Sequence, residues 1–446
     1  MNNNMFHKVS RFSLPYLFLR ECFRFSFKLI YFRRFYVRTR NNNGSFVKGV
    51  QGLPQKDTPI VVVSNHQNGL TDALLILFAL PRRFVPVYMA RADIFKKKWI
   101  AAILYFFRLI PIYRMRDGKE SLSENEHIFT TAAHIIQKGL PICLFPEGMH
   151  QEGHWLGTVK KGFAKIAFEA AMRMDFPQDM LIVPCGNHYD GYYGYRNEVL
   201  FTFGDPILLS GYYDMYRENP PKACLQLAHD IELCINELML NIDVNSLKIA
   251  ENLSETEKRN LYETLNTARE AERPAIAHAL GIKHKRLSLP EKLLADRAYL
   301  EKIRKMTSAE FNAYLQSLQN TSSIKQRPKQ SRKKTTLIQI LLLLLSPISA
   351  VGFLLNSPSV LLGERLAKKL SRKNKMLRSG IEYVAGEILF TTLLYIIYTI
   401  LFFTLMPTTI NTGVLYLAFL VLLFVSKVLW LETGKHFTKR SQSNPI

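Results

Sequence analysis

Two apolar runs near the C-terminal end, residues 384–405 and 414–431, restrict this chain more than any other feature. Each is long enough to cross a hydrocarbon core of about 30 Å at about 1.5 Å per residue. The segment joining them, "MPTTINTG", carries no charge. A third apolar stretch, residues 337–362, contains Pro347 and Pro358 and lies between basic sequences, "KQSRKK" before it and "RLAKKLSRKNKMLRSG" after it. Positive charge marks the cytosolic side of a bilayer, so this stretch is predicted to enter and leave by one face as a re-entrant hairpin, with only the last two runs as full spans. An integral membrane protein is therefore expected, with its remaining domain on the cytosolic face.

The balance of charge agrees with a lipid partner. A formal charge of +23 over 446 residues calls for something polyanionic: nucleic acid, anionic lipid or an acidic carrier protein. The basic residues cluster beside apolar segments and in no nucleic-acid recognition module, so membrane lipids are expected as partners and nucleic acid is not. Residues 1–45 carry nine lysines and arginines against one acid, Glu21, interleaved with aromatic and aliphatic residues. Arg20, Arg24 and Lys28 recur every four residues, which predicts a helix with one basic stripe, lying in the membrane interface or packed on a domain. The same basic residues interrupt any cleavable signal sequence. Five scattered cysteines with no C-x-x-C pair fit a reduced compartment and indicate neither a disulfide framework nor a zinc site.

From residue 46 to 240 short apolar runs alternate with helical stretches, the texture of an α/β domain. Runs at residues 59–64, 72–80, 84–89, 140–145, 181–185 and 199–203 mark its core. Residues 241–334 are charged and helical, ending in the basic linker "TSSIKQRPKQSRKK", and residues 335–446 form the membrane region.

Within the α/β domain the most informative stretch is "PIVVVSNHQNGLTDALLIL". A buried strand ends at Asn65-His66, Asn68-Gly69 make a turn, and a helix is predicted to start near Thr71-Asp72. Six residues of extended strand would separate His66 from Asp72 by about 20 Å. They can meet only if the Asn-Gly turn folds the chain back. An aspartate beside an imidazole fixes its tautomer and stabilises the imidazolium, which suits His66 to deprotonate an alcohol as it attacks a carbonyl. On the residues alone, a hydrogen-bonded loop histidine is the favoured reading of His66, and Asp72 reads also as an ordinary first-turn acid.

Three further blocks alter that balance: "LIPIYRMRDG" with Arg114, "PICLFPEGMHQEG" with Phe145-Pro146-Glu147-Gly148, and "LIVPCGNHYDGYYGYRNEVLFTFGDPI" with a Val-Pro strand. In this order the blocks, over roughly residues 55–210, resemble the glycerol-phosphate acyltransferase superfamily. The five residues between His66 and Asp72, "IVPCG", Tyr195-Arg196 and the proline-broken C-terminal segment are similar to fungal-type glycerol-3-phosphate and dihydroxyacetone-phosphate acyltransferases. Where many members follow Phe-Pro-Glu-Gly with Thr-Arg, this chain has Met149-His150.

The resemblance implies a glycerolipid acyltransferase-type sheet flanked by helices, between an N-terminal interfacial region and a C-terminal membrane region. It implies transfer of an acyl group from acyl-CoA or acyl carrier protein to a hydroxyl of glycerol 3-phosphate, dihydroxyacetone phosphate or 1-acylglycerol 3-phosphate. His66 and Asp72 are then the catalytic pair, and Arg114, Glu147, Gly148, Lys160, Lys161 and Arg196 the candidates for binding the acceptor. No metal and no cofactor beyond the acyl donor are expected. His150 and His154 lie four apart, but Gly148, Gly153 and Gly157 oppose a helix that would present both to zinc. No serine or cysteine sits in a nucleophile elbow. The reading from another class is a non-catalytic lipid-binding scaffold that keeps the fold.

Overall fold

The computed structural model describes residues 9, 13–41, 43–53, 58–113, 119–149, 153–251, 253–284, 286–307, 309–314, 316, 332–372, 378–406 and 410–441. It divides into two compact units: Met1–Arg24, Phe35–Asp190 and Val199–Ile242 form one, and Phe25–Arg34, Gly191–Glu198 and Asp243–Ile446 the other.

The first unit is built on a mixed sheet of strand order β2-β1-β8-β7-β3-β6-β4-β5, with β9 (Ile207–Leu208) pairing β7 off that path. The strands are β1 (Phe32–Arg40), β2 (Phe46–Lys48), β3 (Ile60–Ser64), β4 (Val87–Arg91), β5 (Leu109–Ile112), β6 (Ile142–Leu144), β7 (Leu181–Tyr189) and β8 (Asn197–Phe203). From β7 to β5 the strands run parallel, while β8 is antiparallel to β7. β3 is buried along its whole length, which explains why it reads as an unbroken apolar run and not as an alternation. Its helices include α1 (Leu14–Ser26), α2 (Gly69–Ala79), α3 (Lys98–Phe106), α4 (Lys119–Gln137), α5 (Gly162–Arg173) and α6 (Pro220–Leu238). Val61, Val63, Ile142 and Ile182 meet Ile135, Phe163, Ala167, Leu227 and Ile231 in the core.

The N-terminal region departs from the expected helices over residues 1–45. Among the described residues of this region α1 and a short π-helical turn (Phe27–Tyr31) are helical, while residues 32–40 are a strand at the antiparallel end of the sheet. The basic stripe also points inward. Arg20 is buried, donating to Glu21 and to the carbonyl of Arg82, and Arg24 donates to the carbonyl of Leu77 at 3.4 Å. Leu77 lies in the last turn of α2, where unpaired carbonyls and the negative end of the helix dipole favour a guanidinium.

The second unit contains α7 (Glu255–Ala279) and α8 (Leu289–Arg304), each opened by a capping box, at Ser254/Glu257 and Ser288/Glu291. Arg269 and Arg273 of α7 both engage the buried Asp296 of α8. The basic linker up to residue 331 lies outside the described residues.

The proline-containing segment is not a re-entrant hairpin but one continuous helix, α9 (Arg332–Leu370), with Pro347 and Pro358 inside it. A proline removes one donor and bends a helix. Breaking the helix completely in an apolar setting would strand many more backbone groups. Among the described residues two helical segments are long and apolar enough to cross a membrane, Gly380–Leu405 and Asn411–Thr433. The chain comes very close to itself at Gly352, where an added Cβ would lie 2.0 Å from the Ser426 carbonyl oxygen, and at Gly363, where it would lie 2.4 Å from the Gly386 Cα. Small residues permit such backbone contact between apolar helices.

These two segments share an enclosed ion pair between Glu387 and Lys427. Lys427 Nζ lies 2.8 and 3.0 Å from the two carboxylate oxygens of Glu387 and 2.9 Å from Thr391 Oγ1. Removing one partner of such a pair leaves an uncompensated charge, at a cost of about 3–5 kcal/mol. Lys427→Met is therefore expected to lower the detergent-solubilised protein's thermal stability sharply, and adding Glu387→Gln to it to restore most of the loss. A double variant no more stable than Lys427→Met would show that the pair is not coupled.

Candidate active site

The register of the parallel strands assembles the site. Pairing of Val63 with Leu144 across β3 and β6, continued three residues, brings His66 level with Glu147. Pairing of Ser64 with Cys185 across β3 and β7 likewise brings the end of β3 beside Asn187. The carboxyl ends of three neighbouring parallel strands thus converge, the place where open α/β sheets present their loops to ligands.

Immediately after β3 the chain turns back upon Asp72, which is fully buried in the first turn of α2. Its Oδ2 accepts from His66 Nδ1 at 2.8 Å and from the backbone N–H groups of Gln67 and Asn68, each at 2.7 Å. Its Oδ1 accepts from the Tyr189 hydroxyl at the end of β7. The turn uses Gly69 at φ +43, a left-handed conformation that a side chain would strain. The helix accordingly begins at Gly69, two residues before the predicted start, with Asn68 at the N-cap and Thr71 already inside. His66 and Asp72 therefore meet as the spacing required, by reversal of the chain at Asn68-Gly69.

The imidazole stacks on the Phe145 ring with centroids 4.1 Å apart. Beneath it, Asn65 and Asn187 are both fully buried and bind one another three times: Asn187 N–H to Asn65 Oδ1 at 2.6 Å, and each side-chain amide to the other's carbonyl at 3.1 Å. These bonds fix the backbone that ends in His66. Neither Asn187 nor Tyr189 was identifiable as a site residue from sequence, since both lie more than a hundred residues from the motif they support.

Glu147 is buried and holds backbone. Its Oε1 accepts from the His66 N–H at 2.6 Å and its Oε2 from the Gly157 N–H at 2.8 Å, so its carboxylate ties the β3 loop to the segment beyond the Phe-Pro-Glu-Gly turn. Gly157 is needed there: a Cβ would sit 2.5 Å from Glu147 Oε2. Burial raises the Glu147 carboxyl to about 7, against the opposing effect of its two backbone hydrogen bonds. Gly148 takes φ +67, and a Cβ on it would meet the Lys160 Nζ at 3.2 Å. Lys160 is thereby placed over the turn, exposed, with its own N–H bonded to the Pro146 carbonyl.

His66, Asp72, Glu147, Gly148 and Lys160 are therefore brought together. Lys161 occupies the N-cap position of α5, makes no capping hydrogen bond with its side chain, and is exposed. Arg196 belongs to the second unit, where its Nε is 2.9 Å from Glu432 and its Nη1 donates to the Leu29 carbonyl at 2.6 Å. Arg114 and His150 lie outside the described residues. Among the described residues no group of three His, Cys, Asp or Glu side chains could hold a metal ion.

A family model described as Acyltransferase matches residues 45–187, the stretch that holds this assembly from the second strand to Asn187. The match falls on the stretch that carries the motif blocks and agrees with the resemblance they show. A chloroplast 1-acyl-sn-glycerol-3-phosphate acyltransferase of Brassica napus is 29% identical over 27% of this chain and 33% of its own length. Glycerol-3-phosphate O-acyltransferase 2 of Saccharomyces cerevisiae is 29% identical over 25% of this chain and 15% of its own. The chain thus spans no more than about a third of the length of these curated relatives. The solved 1-acyl-sn-glycerophosphate acyltransferase PlsC of Thermotoga maritima aligns at 16% identity over 48% of this chain and 77% of that one, with a TM-score of 0.29.

The position of Glu147 has a consequence for stability against pH. A carboxyl whose folded pKa is raised favours the folded state most at low pH; its contribution is complete below the ordinary 4.5 and lost as pH rises through about 7. Compared with Glu147→Gln, the native protein should gain melting temperature as pH is lowered from about 7.5 to 5. Calorimetry at several pH values reads this directly, and a difference between the two proteins that is flat in pH would contradict the burial of an ionising group here.

Proposed function

We propose that the chain is a membrane-bound O-acyltransferase of phospholipid biosynthesis that moves a fatty acyl group from a thioester, acyl-CoA or acyl carrier protein, to a hydroxyl of a glycerol-phosphate acceptor. The observation that carries this reading is the His66 Nδ1–Asp72 hydrogen bond of 2.8 Å at the carboxyl edge of the sheet, inside the region matched by the acyltransferase family model. With Nδ1 engaged by a carboxylate, Nε2 is the nitrogen that takes a proton. The acceptor oxygen attacks the thioester carbonyl as His66 removes its proton. The new C–O bond forms, the tetrahedral oxyanion collapses, the C–S bond breaks, and the proton on His66 goes to the departing thiolate. No covalent acyl-enzyme is needed.

The acceptor phosphate requires cations. Lys160, over the Gly148 turn, is one source, with the adjacent Lys161 and the motif residue Arg114 as the others. Arg196 is not carried into this proposal, because Glu432 and the Leu29 carbonyl already take up its guanidinium. Glu147 serves this site by fixing the His66 backbone. Relatives named for the first acylation and relatives named for the second both resemble the domain, which supports glycerol 3-phosphate (or dihydroxyacetone phosphate) or 1-acylglycerol 3-phosphate as the proposed acceptor.

Gly380–Leu405 and Asn411–Thr433 are proposed to cross the membrane as a pair. The basic sequences before the first and after the second then lie on the cytosolic side, together with the catalytic unit. Cysteine labelling is expected to modify positions in 364–372 and 435–440 from the cytosol and position 412 from the opposite side.

The reaction is tested by incubating purified protein with acyl-CoA or acyl carrier protein and each acceptor in turn and identifying the lipid formed. His66→Ala should cut turnover by roughly 10²–10⁴-fold without unfolding the protein, since that is what a general base contributes. Undiminished product formation in His66→Ala would contradict its role as the base, and no product from the native protein with any acceptor would leave the scaffold reading in its place.

A further inference from the structure

The catalytic unit has an apolar outer surface that its chemistry does not explain. α3 exposes Trp99 (65%) and Ile103 (48%), one turn apart on one face. α1 exposes Leu14 (82%) and Phe18 (70%) with the same spacing. The two helices are neighbours. The Tyr16 ring meets Phe106 edge-on at 6.0 Å, the Phe23 ring stacks on Phe107 at 6.2 Å, and the Arg108 guanidinium lies over Tyr16. The inward sides of the pair are thus satisfied, while large apolar side chains are left on the outside.

The chemistry at the edge of this surface selects its occupant. Lys96, Lys97 and Lys98, all exposed, open α3 immediately beside Trp99, and exposed Arg82 and Arg83 extend the basic character. Cations are disfavoured at a helix N-terminus, so three lysines there are not explained by helix stability. A tryptophan between apolar residues and a lysine cluster is the composition that settles at the boundary of head groups and acyl chains, with indole at the interface and ammonium groups on phosphates.

We propose that α3, with the outer face of α1, docks the catalytic unit onto the surface of a bilayer carrying anionic head groups, with Trp99 and Ile103 inserted and Lys96, Lys97 and Lys98 bound to lipid phosphates. This attachment is separate from the two apolar segments of the other unit and does not depend on the reaction assigned to His66.

The full-length protein is reconstituted in nanodiscs of phosphatidylcholine with or without phosphatidylglycerol, in a Trp155→Phe/Trp430→Phe background that leaves Trp99 as the sole tryptophan. Its emission is expected to be blue-shifted, and quenching by lipids brominated near the head-group end of the chain to exceed that by aqueous iodide at least about twofold. Lys96→Glu/Lys97→Glu/Lys98→Glu should abolish the added quenching that phosphatidylglycerol confers. Should the single-tryptophan background fail to fold, bimane attached at Ile103→Cys in a Cys22→Ser chain gives the same reading. Water-like emission with full iodide access would overturn the proposal. So would protection that rises with protein concentration and ignores brominated lipid, which would make the surface a contact between copies of this chain.

Discussion

The site depends on one buried carboxylate. Asp72 sits with no solvent exposure and gathers hydrogen bonds from His66 Nδ1, from the Gln67 and Asn68 backbone, and from Tyr189. An ionised carboxylate in such a place is tolerated only with its lone pairs occupied. Those donors leave the loop after β3 with little choice of path: the backbone must wrap around the carboxylate, Gly69 must supply the left-handed turn, and the imidazole must present its other nitrogen outward. The Asp72 contact thus organises the loop and orients the imidazole through the same atoms.

A second layer holds the first in place. Asn65 and Asn187 join the ends of β3 and β7, and Glu147 ties the His66 N–H to that of Gly157. Three strands therefore contribute to the position of a single ring, and the parallel register makes this possible, because residues that follow adjacent strands arrive at the same level. Preorganisation of this kind matters for general base catalysis, where small misplacements of the base cost large factors in rate.

The parts legible in the sequence were those set by local pattern. β3, β6, β7 and β8 appeared as apolar runs, and the His66–Asp72 pair as a spacing that only a turn could close. Residues 32–40 escaped because "FRRFYVRTR" continues the basic, aromatic texture of α1. The strand is recognisable only from partners distant in sequence, with Arg38 donating to Thr202 on the neighbouring β8 and Arg40 to Asp205 just beyond it. Arg20 and Arg24 read as one basic stripe of an interfacial or domain-packed helix, yet they turn to the carbonyls of Arg82 and Leu77, which no periodicity reveals. Pro347 and Pro358 suggested a hairpin, but α9 accommodates both. Glu147 was matched to the acceptor by its motif, and its two backbone hydrogen bonds give it a structural task that the motif did not reveal.

The central claim is that His66 and Asp72 act as one catalytic unit, and a double-mutant cycle on acyl transfer tests it most directly. If Asp72 works through the imidazole, His66→Ala/Asp72→Asn should lose little more kcat/KM than His66→Ala alone, since the partner is idle once the base is gone. Losses that multiply, with the double variant reduced by the product of the two single factors, would show that the residues act independently and would contradict this account.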